Sequence, residues 1–476
     1  MAATSQTAGL GSGWAPNARG EEDAQQCFPI GFCVRHGHSE RHYGRLPARL
    51  GRGPRRTGGV VAGRPSWVGV KVVLESPFAR QPHTTKHAQL PLSHVTHILE
   101  LFPVDPANPL TLMPALEEAL TGQRTLLPTP AEDQTRTNLL RNTQGVGQPI
   151  EDDIALVVAT SGSTGTPKGA MLTAANLISS ADATHQALGG EGQWLLAMPA
   201  AYIAGIQVLV RSMVAGVTPA AIDLTGGFSI SEFAARTHEL ADTGERTYTA
   251  LTPMQLAKAT STLQGIDALR RFNAVLIGGA ATNPQLLKSA RKLRINVVTT
   301  YGSSETSGGC VYDGRPLPGA RVRVEDGRVC LGGPMVSCGY RGASPDAASD
   351  LQDGWFRTSD AGTLENGVLS IHGRIDNVID SGGLKLHPEV LERVLLAIPG
   401  VTGACVVGTD DYRLGQRICA AYTGSASVAD ILDHLDELSA TGRLPRWQIP
   451  KDLKPVPALP LLGPGKVDRP AVREMF

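Results

Sequence analysis

The chain has 476 residues, and its 44 Lys and Arg balance its 44 Asp and Glu, so no net charge draws it to nucleic acid or an anionic membrane. Domains usually span on the order of 100–200 residues, so this length implies more than one core. Seven cysteines, Cys27, Cys33, Cys310, Cys330, Cys338, Cys405 and Cys419, are odd in number and lack CxxC spacing, which argues against a secreted disulfide framework and for a reducing cytoplasm.

Residues 1–96 are rich in Gly, Arg and His, and Arg41, Arg45, Arg49, Arg52, Arg55 and Arg56 recur with little apolar periodicity, which predicts a poorly structured basic arm. A nucleic-acid contact there would need aromatic interleaving or a folded module, and the segment shows neither. No charged region leads into an apolar core and cleavage site. The longest apolar stretch, Trp194 to Val217, is interrupted by Gln207 and Arg211, so neither a signal peptide nor a membrane insertion is expected.

Residues 97–373 alternate short apolar strands with helical stretches, which predicts an α/β domain. The strands Ile154–Ala159, Ala274–Ile277 and Val297–Val298 each run into a Gly/Ser/Thr loop. In open α/β sheets such loops line one site beyond the carboxyl ends of the strands. Ala170–Leu172 reads as a further strand before a helix capped by Thr173. From residue 374 to 476 the pattern changes to a small second domain: a stripe of Leu391, Val394, Leu395 and Ile398, strands at Ala404–Val407 and Ile418–Tyr422, and a helix near Val428–Leu438. Its proline-rich tail, interleaved with Trp447, Ile449, Leu459 and Leu461, should lie extended against a surface.

The first loop, Thr160-Ser161-Gly162-Ser163-Thr164-Gly165-Thr166-Pro167-Lys168-Gly169, combines glycines that permit close backbone approach with hydroxyl donors and a cation, the chemistry of a polyphosphate cradle. It is not a P-loop. Counted from Gly162, the position that must be Gly is Pro167, and Lys168 is followed by Gly169 rather than a hydroxyl residue.

With these residues the chain resembles the adenylate-forming family of acyl-CoA synthetases, luciferases and peptide-synthetase adenylation domains. The other signatures follow in order: Gly278-Gly279-Ala280, then Tyr301-Gly302-Ser303-Ser304-Glu305-Thr306, Trp355 to Asp360, Gly373-Arg374-Ile375-Asp376-Asn377, and Gly465-Lys466-Val467-Asp468. The resemblance covers about residues 97 to 476. It implies a large layered α/β N-terminal domain carrying a small mobile α+β lid, with ATP and Mg2+ as cofactors and coenzyme A as co-substrate. Two anions must meet in such a reaction, so cations must converge on the phosphoryl oxygens. The resemblance makes Lys466, with Glu305 and Thr160, catalytic. Glu305 would also be the magnesium ligand, a hard oxygen for a hard ion. The nucleotide would be held by the phosphate loop from Ser161 to Lys168, by the 278–280 and 301–306 motifs, and at the ribose by Asp360 and Arg374. Thr358-Ser359-Asp360 stands where the family has Thr-Gly-Asp. Asp376 would be the hinge, and Lys385, in Ser381-Gly382-Gly383-Leu384-Lys385, would line the thioesterification state.

Between the nucleotide motifs, Tyr202, Gly205 and Arg211 belong to an apolar segment interrupted by one cation. An Arg there suits a second substrate carboxylate, which it can grip bidentately. This stretch, with Thr252-Pro253-Met254-Gln255-Leu256, resembles the o-succinylbenzoate:CoA ligase branch of menaquinone synthesis, although Tyr202 stands where such enzymes often carry His. The expected partners are a small-molecule carboxylic acid, ATP and CoA, with a homodimer as relatives suggest. Two alternatives remain: an acyl-AMP ligase that loads a carrier protein, and a degenerate ATP-binding regulator.

Overall fold

The computed structural model describes residues 97–160, 167–344, 348–462 and 466–476; the basic arm expected over 1–96 lies outside them. A six-stranded sheet runs in the order Gly339–Arg341, Gly169–Thr173, Ile154–Ala159, Thr125–Pro130, His97–Val104, Pro149–Ile150. A seven-stranded sheet follows, in which the strands Gln193–Leu196, Thr247–Leu251, Ala274–Ile277 and Val297–Ser303 are parallel neighbours.

Side chains along one strand of this second sheet alternate between two cores. Trp194, Leu196, Ala274 and Leu276 enter the cluster shared with the first sheet, whereas Leu195, Val275 and Ile277 enter the cluster beneath Phe233, Leu256 and Leu269. A parallel strand covered on both faces is largely apolar, which is why Trp194–Leu196 and Ala274–Ile277 read as unbroken apolar runs. The helices Ala174–Leu188 and Ile203–Val214 bring Leu177, Ala181, Ile206 and Leu209 into that shared core. Thr173 caps the first of them, with Asn176 bonding back to its N–H at 3.0 Å. The Thr252-Pro253 motif is likewise a helix start: Gln255 accepts the Thr252 N–H at 2.8 Å and donates to the Ala197 carbonyl at 2.7 Å.

A third sheet contains Arg328–Gly332, Trp355–Glu365 and Val368–Arg374. A fourth is built on the long hairpin Val401–Asp411 and Gly415–Gly424, against which the helices Pro388–Leu396 and Val428–Ala440 bury Leu391, Leu395, Ile431 and Leu435. Two expectations need correction. Val297–Val298 is only the start of a strand that continues to Ser303, because Tyr301 and Gly302 pair with Val311 and Gly309. The proline-rich tail is not extended throughout. Arg446–Gln448 forms a 3-10 turn, after which Asp452–Pro455 adds a parallel strand to Gly415–Gly424. Among the described residues no helix is long and apolar enough to cross a membrane.

The C-terminal region is pinned by one buried ion-pair group. Glu392, 9% exposed, accepts from Arg469 at 2.7 and 2.9 Å and from the Val406 N–H at 2.8 Å. Removing the cation would strand a desolvated carboxylate. Arg469→Met should therefore cost about 3 kcal/mol in chemical denaturation, and Glu392→Gln in the same background should recover part of that loss. A cost no larger than that of an ordinary surface substitution would show the pair to be dispensable.

Candidate active site

The phosphate-loop candidate is anchored at its base. Thr160 N–H donates to the Lys168 carbonyl at 2.7 Å, and Gln144 Nε2 donates to the Pro167 carbonyl at 2.7 Å. A Cβ at Gly169 would lie 2.3 Å from Gln144 Oε1 and 2.4 Å from Val157 Cγ1, so only glycine fits there. Ser161, Gly162, Ser163, Thr164 and Gly165 lie outside the described residues. Lys168 Nζ stands 3.8 Å from the Asp350 carboxylate and 4.9 Å from the Tyr340 ring centroid.

The strand Val297–Ser303 passes into a 3-10 turn at Ser304–Thr306. Thr306 Oγ1 accepts the Ser303 N–H at 2.9 Å and donates to the Gly308 carbonyl at 2.7 Å. Gly302 is required where the chain folds back, since a Cβ would stand 2.1 Å from the Gly308 carbonyl oxygen. The turn holds Glu305 at 7% exposure. Tyr340 donates its hydroxyl to Glu305 Oε1 at 2.7 Å, so one side chain touches both Lys168 and Glu305. Sequence reasoning missed Tyr340. It reaches Glu305 because the strand Gly339–Arg341 pairs with Gly169–Thr173, placing Tyr340 opposite Ala170.

Asp360, on the strand Trp355–Glu365, accepts from the Tyr301 hydroxyl at 2.6 Å. Burial raises the Asp360 pKa, against the Tyr301 bond and Arg374. Burial also pushes the Tyr301 phenol up, reinforced by the Asp360 charge. Ser359, in place of the family's Gly, sits where the strand shifts register against Arg328–Gly332, yet needs no positive φ, and its carbonyl accepts the Ile375 N–H at 2.7 Å. Arg374 commits its fork to Asp376, with Nε at 2.8 Å, and comes within 4.0 Å of Asp360. Lys466 lies within reach of the same charges. Desolvation lowers its pKa, Glu305 and Asp360 oppose that, and Arg374 and Arg136 add to it.

Gly278 packs where a Cβ would stand 2.3 Å from Thr300 Oγ1, Gly279 adopts φ 82°, and Ala280 is exposed. The structure thus gathers Thr160, Lys168, Tyr301, Glu305, Asp360, Arg374 and Lys466 around one region. Lys385 is exposed on the hairpin turned by Gly382 and Gly383, and among the described residues no interaction joins it to that cleft.

On the other side Tyr202 stands at the N-cap of the Ile203–Val214 helix. Gly205 lets the helix close on the preceding loop, since a Cβ there would stand 2.4 Å from the Pro199 carbonyl oxygen. Arg211 is 3% exposed. Its guanidinium lies 5.0 Å over the Trp194 ring and donates to the Tyr312 hydroxyl at 3.4 Å. Desolvation lowers its pKa, and among the described residues no carboxylate pairs with it. Beside it, burial and then the Arg211 charge lower the His185 pKa to about 4. Among the described residues both His185 ring nitrogens, Trp194 Nε1 and Arg211 Nε lack hydrogen-bond partners. A cation buried without a counter-ion is costly, more than the capping of a helix end would require.

A family profile described as AMP-binding enzyme matches residues 68–341, and one described as AMP-binding enzyme C-terminal domain matches 390–466. A Mycobacterium tuberculosis protein named "Probable 2-succinylbenzoate--CoA ligase" is 44% identical over 372 residues, 77% of this chain and 95% of that protein. The 2-succinylbenzoate--CoA ligase of Escherichia coli is 29% identical over 392 residues, 79% and 81% of the two chains. The solved o-succinylbenzoate CoA synthetase of Bacillus subtilis, in complex with its acyl-adenylate intermediate, shares the fold at a TM-score of 0.68 and 23% identity, covering 80% of this chain and 89% of that one. ATP-bound MatB from Rhodopseudomonas palustris shares it at 0.67 and 19%, over 81% and 90%.

Tyr340→Phe removes one hydroxyl and keeps the ring against Lys168. If that hydroxyl orients Glu305 toward a magnesium–nucleotide complex, the affinity for MgATP measured calorimetrically should fall several-fold, as when a group that orients a metal ligand is lost. The melting temperature should hold. Unchanged MgATP affinity would leave Tyr340 without that role.

Proposed function

The chain belongs to the AMP-binding enzyme family, and from that premise we propose that it is a cytoplasmic, ATP-dependent acid:CoA ligase acting on 2-succinylbenzoate. The observation that carries the substrate is Arg211, a buried cation without a counter-ion on the helix that Tyr202 begins. A diacid supplies the missing charge. The names of the M. tuberculosis and E. coli relatives support the same acid.

The reaction has two steps. In the first, a carboxylate oxygen bonds to the α-phosphorus of ATP and the bond to pyrophosphate breaks, leaving the acyl-adenylate. In the second, the CoA thiol sulfur bonds to the acyl carbon, its proton passes to solvent, and AMP leaves. The first step concentrates negative charge, which Lys466 and Lys168 offset. ATP enters as its magnesium complex. Magnesium is commonly held by one or two carboxylates together with substrate phosphates. Glu305 fits that role: it is buried at 7% exposure, with one oxygen on Tyr340. Asp360 suits the ribose diol, because a carboxylate accepts two hydrogen bonds.

The second step needs a different partner at the cleft. Residues 374–476 act as the lid and turn about Asp376, where the Arg374–Asp376 pair sits at the junction. That turn carries Lys466 away and brings the Lys385 hairpin in. A carrier-loading ligase would share the first step but not the use of free CoA. ATP/pyrophosphate exchange and acyl-CoA formation, measured across a panel of acids, separate the two readings, and a regulator would show neither activity.

Lys466→Ala should abolish adenylate formation while leaving thioester formation from preformed adenylate largely intact; equal loss in both would remove the lid assignment. Arg211→Ala should weaken kcat/KM for 2-succinylbenzoate by about 2–5 kcal/mol, the cost of losing one partner of a desolvated pair. Arg211→Lys should restore only part of this, since an ammonium cannot form two parallel hydrogen bonds. Turnover of a monoacid such as benzoate should hardly respond. Equal losses on both acids would make Arg211 structural.

A further inference from the structure

The helix Gln134–Thr143 begins beside Tyr202. Asp133 caps it by accepting the Arg136 backbone N–H at 2.9 Å, which fixes where the Arg136 side chain starts. Its guanidinium lies over the Tyr202 ring, 5.6 Å from Cζ to the centroid. The residue is half-buried, and among the described residues its guanidinium forms no ion pair and no hydrogen bond. The Tyr202 ring therefore orients the cation without consuming its N–H donors. No sequence motif marked this residue.

The Arg136 charge also acts on Lys466, together with those of Glu305, Arg374 and Asp360. Arg374 is already committed to Asp376. Arg136 is thus a cation at the start of the Ile203–Val214 helix whose donors no carboxylate among the described residues satisfies. An anion that enters near the Arg136 guanidinium gains from its charge and its unused donors.

We propose that Arg136 is a further substrate-binding residue, whose guanidinium, steadied on Tyr202, takes an oxyanion of the reacting pair, either the acid's carboxylate or an ATP phosphate. The inference rests on the acid:CoA ligase reading. Arg136 lies on the large domain rather than on the lid, so its contact does not depend on a lid residue to carry it.

The test uses the full chain as wild type, Arg136→Gln and Arg136→Lys. ATP/pyrophosphate exchange with 2-succinylbenzoate reports adenylation, and acyl-CoA formation from synthetic 2-succinylbenzoyl-adenylate reports the second step. Arg136→Gln should lower kcat/KM for adenylation on the order of 10–100-fold, as expected for losing one donor to developing charge. Arg136→Lys should recover part of this, because the charge persists without the fork. Thioester formation from the preformed adenylate and the melting temperature should stay close to wild type. A raised KM for the acid assigns the contact to the carboxylate, and a raised KM for ATP assigns it to a phosphate. Normal exchange in Arg136→Gln, or parallel loss of both steps with the melting temperature, would overturn the inference while the ligase reading stands. No exchange by the wild type with any acid would overturn both.

Discussion

Everything at the cleft depends on the double burial of the parallel strands. Ala274 and Leu276 face one core while Val275 and Ile277 face another, so neither the register nor the tilt of the strand can slip without exposing apolar surface. Polar groups are excluded along its length and collect where it ends. Gly278-Gly279-Ala280 follows one such strand and Ser304–Thr306 follows its neighbour Val297–Ser303. The site is a rim of short turns, rigid because the sheet beneath them is rigid.

On that rim, charge is arranged by secondary contacts more than by direct pairing. Glu305 and Asp360 each hold a tyrosine hydroxyl, from Tyr340 and Tyr301. A phenol orients a carboxylate without neutralising it, so the carboxylate keeps its charge for a ligand. The cations follow a similar rule: Lys168 lies against the Tyr340 ring, Arg136 against Tyr202 and Arg211 against Trp194. Aromatic rings hold cations in place and leave their donors available. The C-terminal region does the opposite. Arg469 is matched to Glu392 and Glu389, as suits a contact that holds a fold together.

The junction combines the two modes. Arg374 ends the strand Val368–Arg374, grips Asp376 two residues on, and still reaches Asp360 across the sheet. One guanidinium therefore gives the Asp376 turn a physical link to the Asp360 carboxylate.

Much of this was determined by the sequence alone. The apolar strands Ile154–Ala159 and Ala274–Ile277, the Thr173 cap, the order of the motifs and the Ile203–Val214 helix all follow from local rules, because hydrogen bonds between near neighbours and the period of apolar residues decide them. The requirement for glycine at 302 has the same kind of cause, a reversal that closes within a few residues. Only the tertiary structure decided what lies opposite what. Tyr340 meets Glu305 through strand pairing with residue 170, and Arg136 meets Tyr202 across two helix starts. Arg211 proves to be buried over Trp194 instead of solvated at a helix end. Ser359 sits in a register shift of its strand without needing a positive φ, a matter of dihedral angles that composition does not encode. These contacts join residues far apart in the chain, where no spacing rule operates and only the packing of sheets and helices brings side chains together.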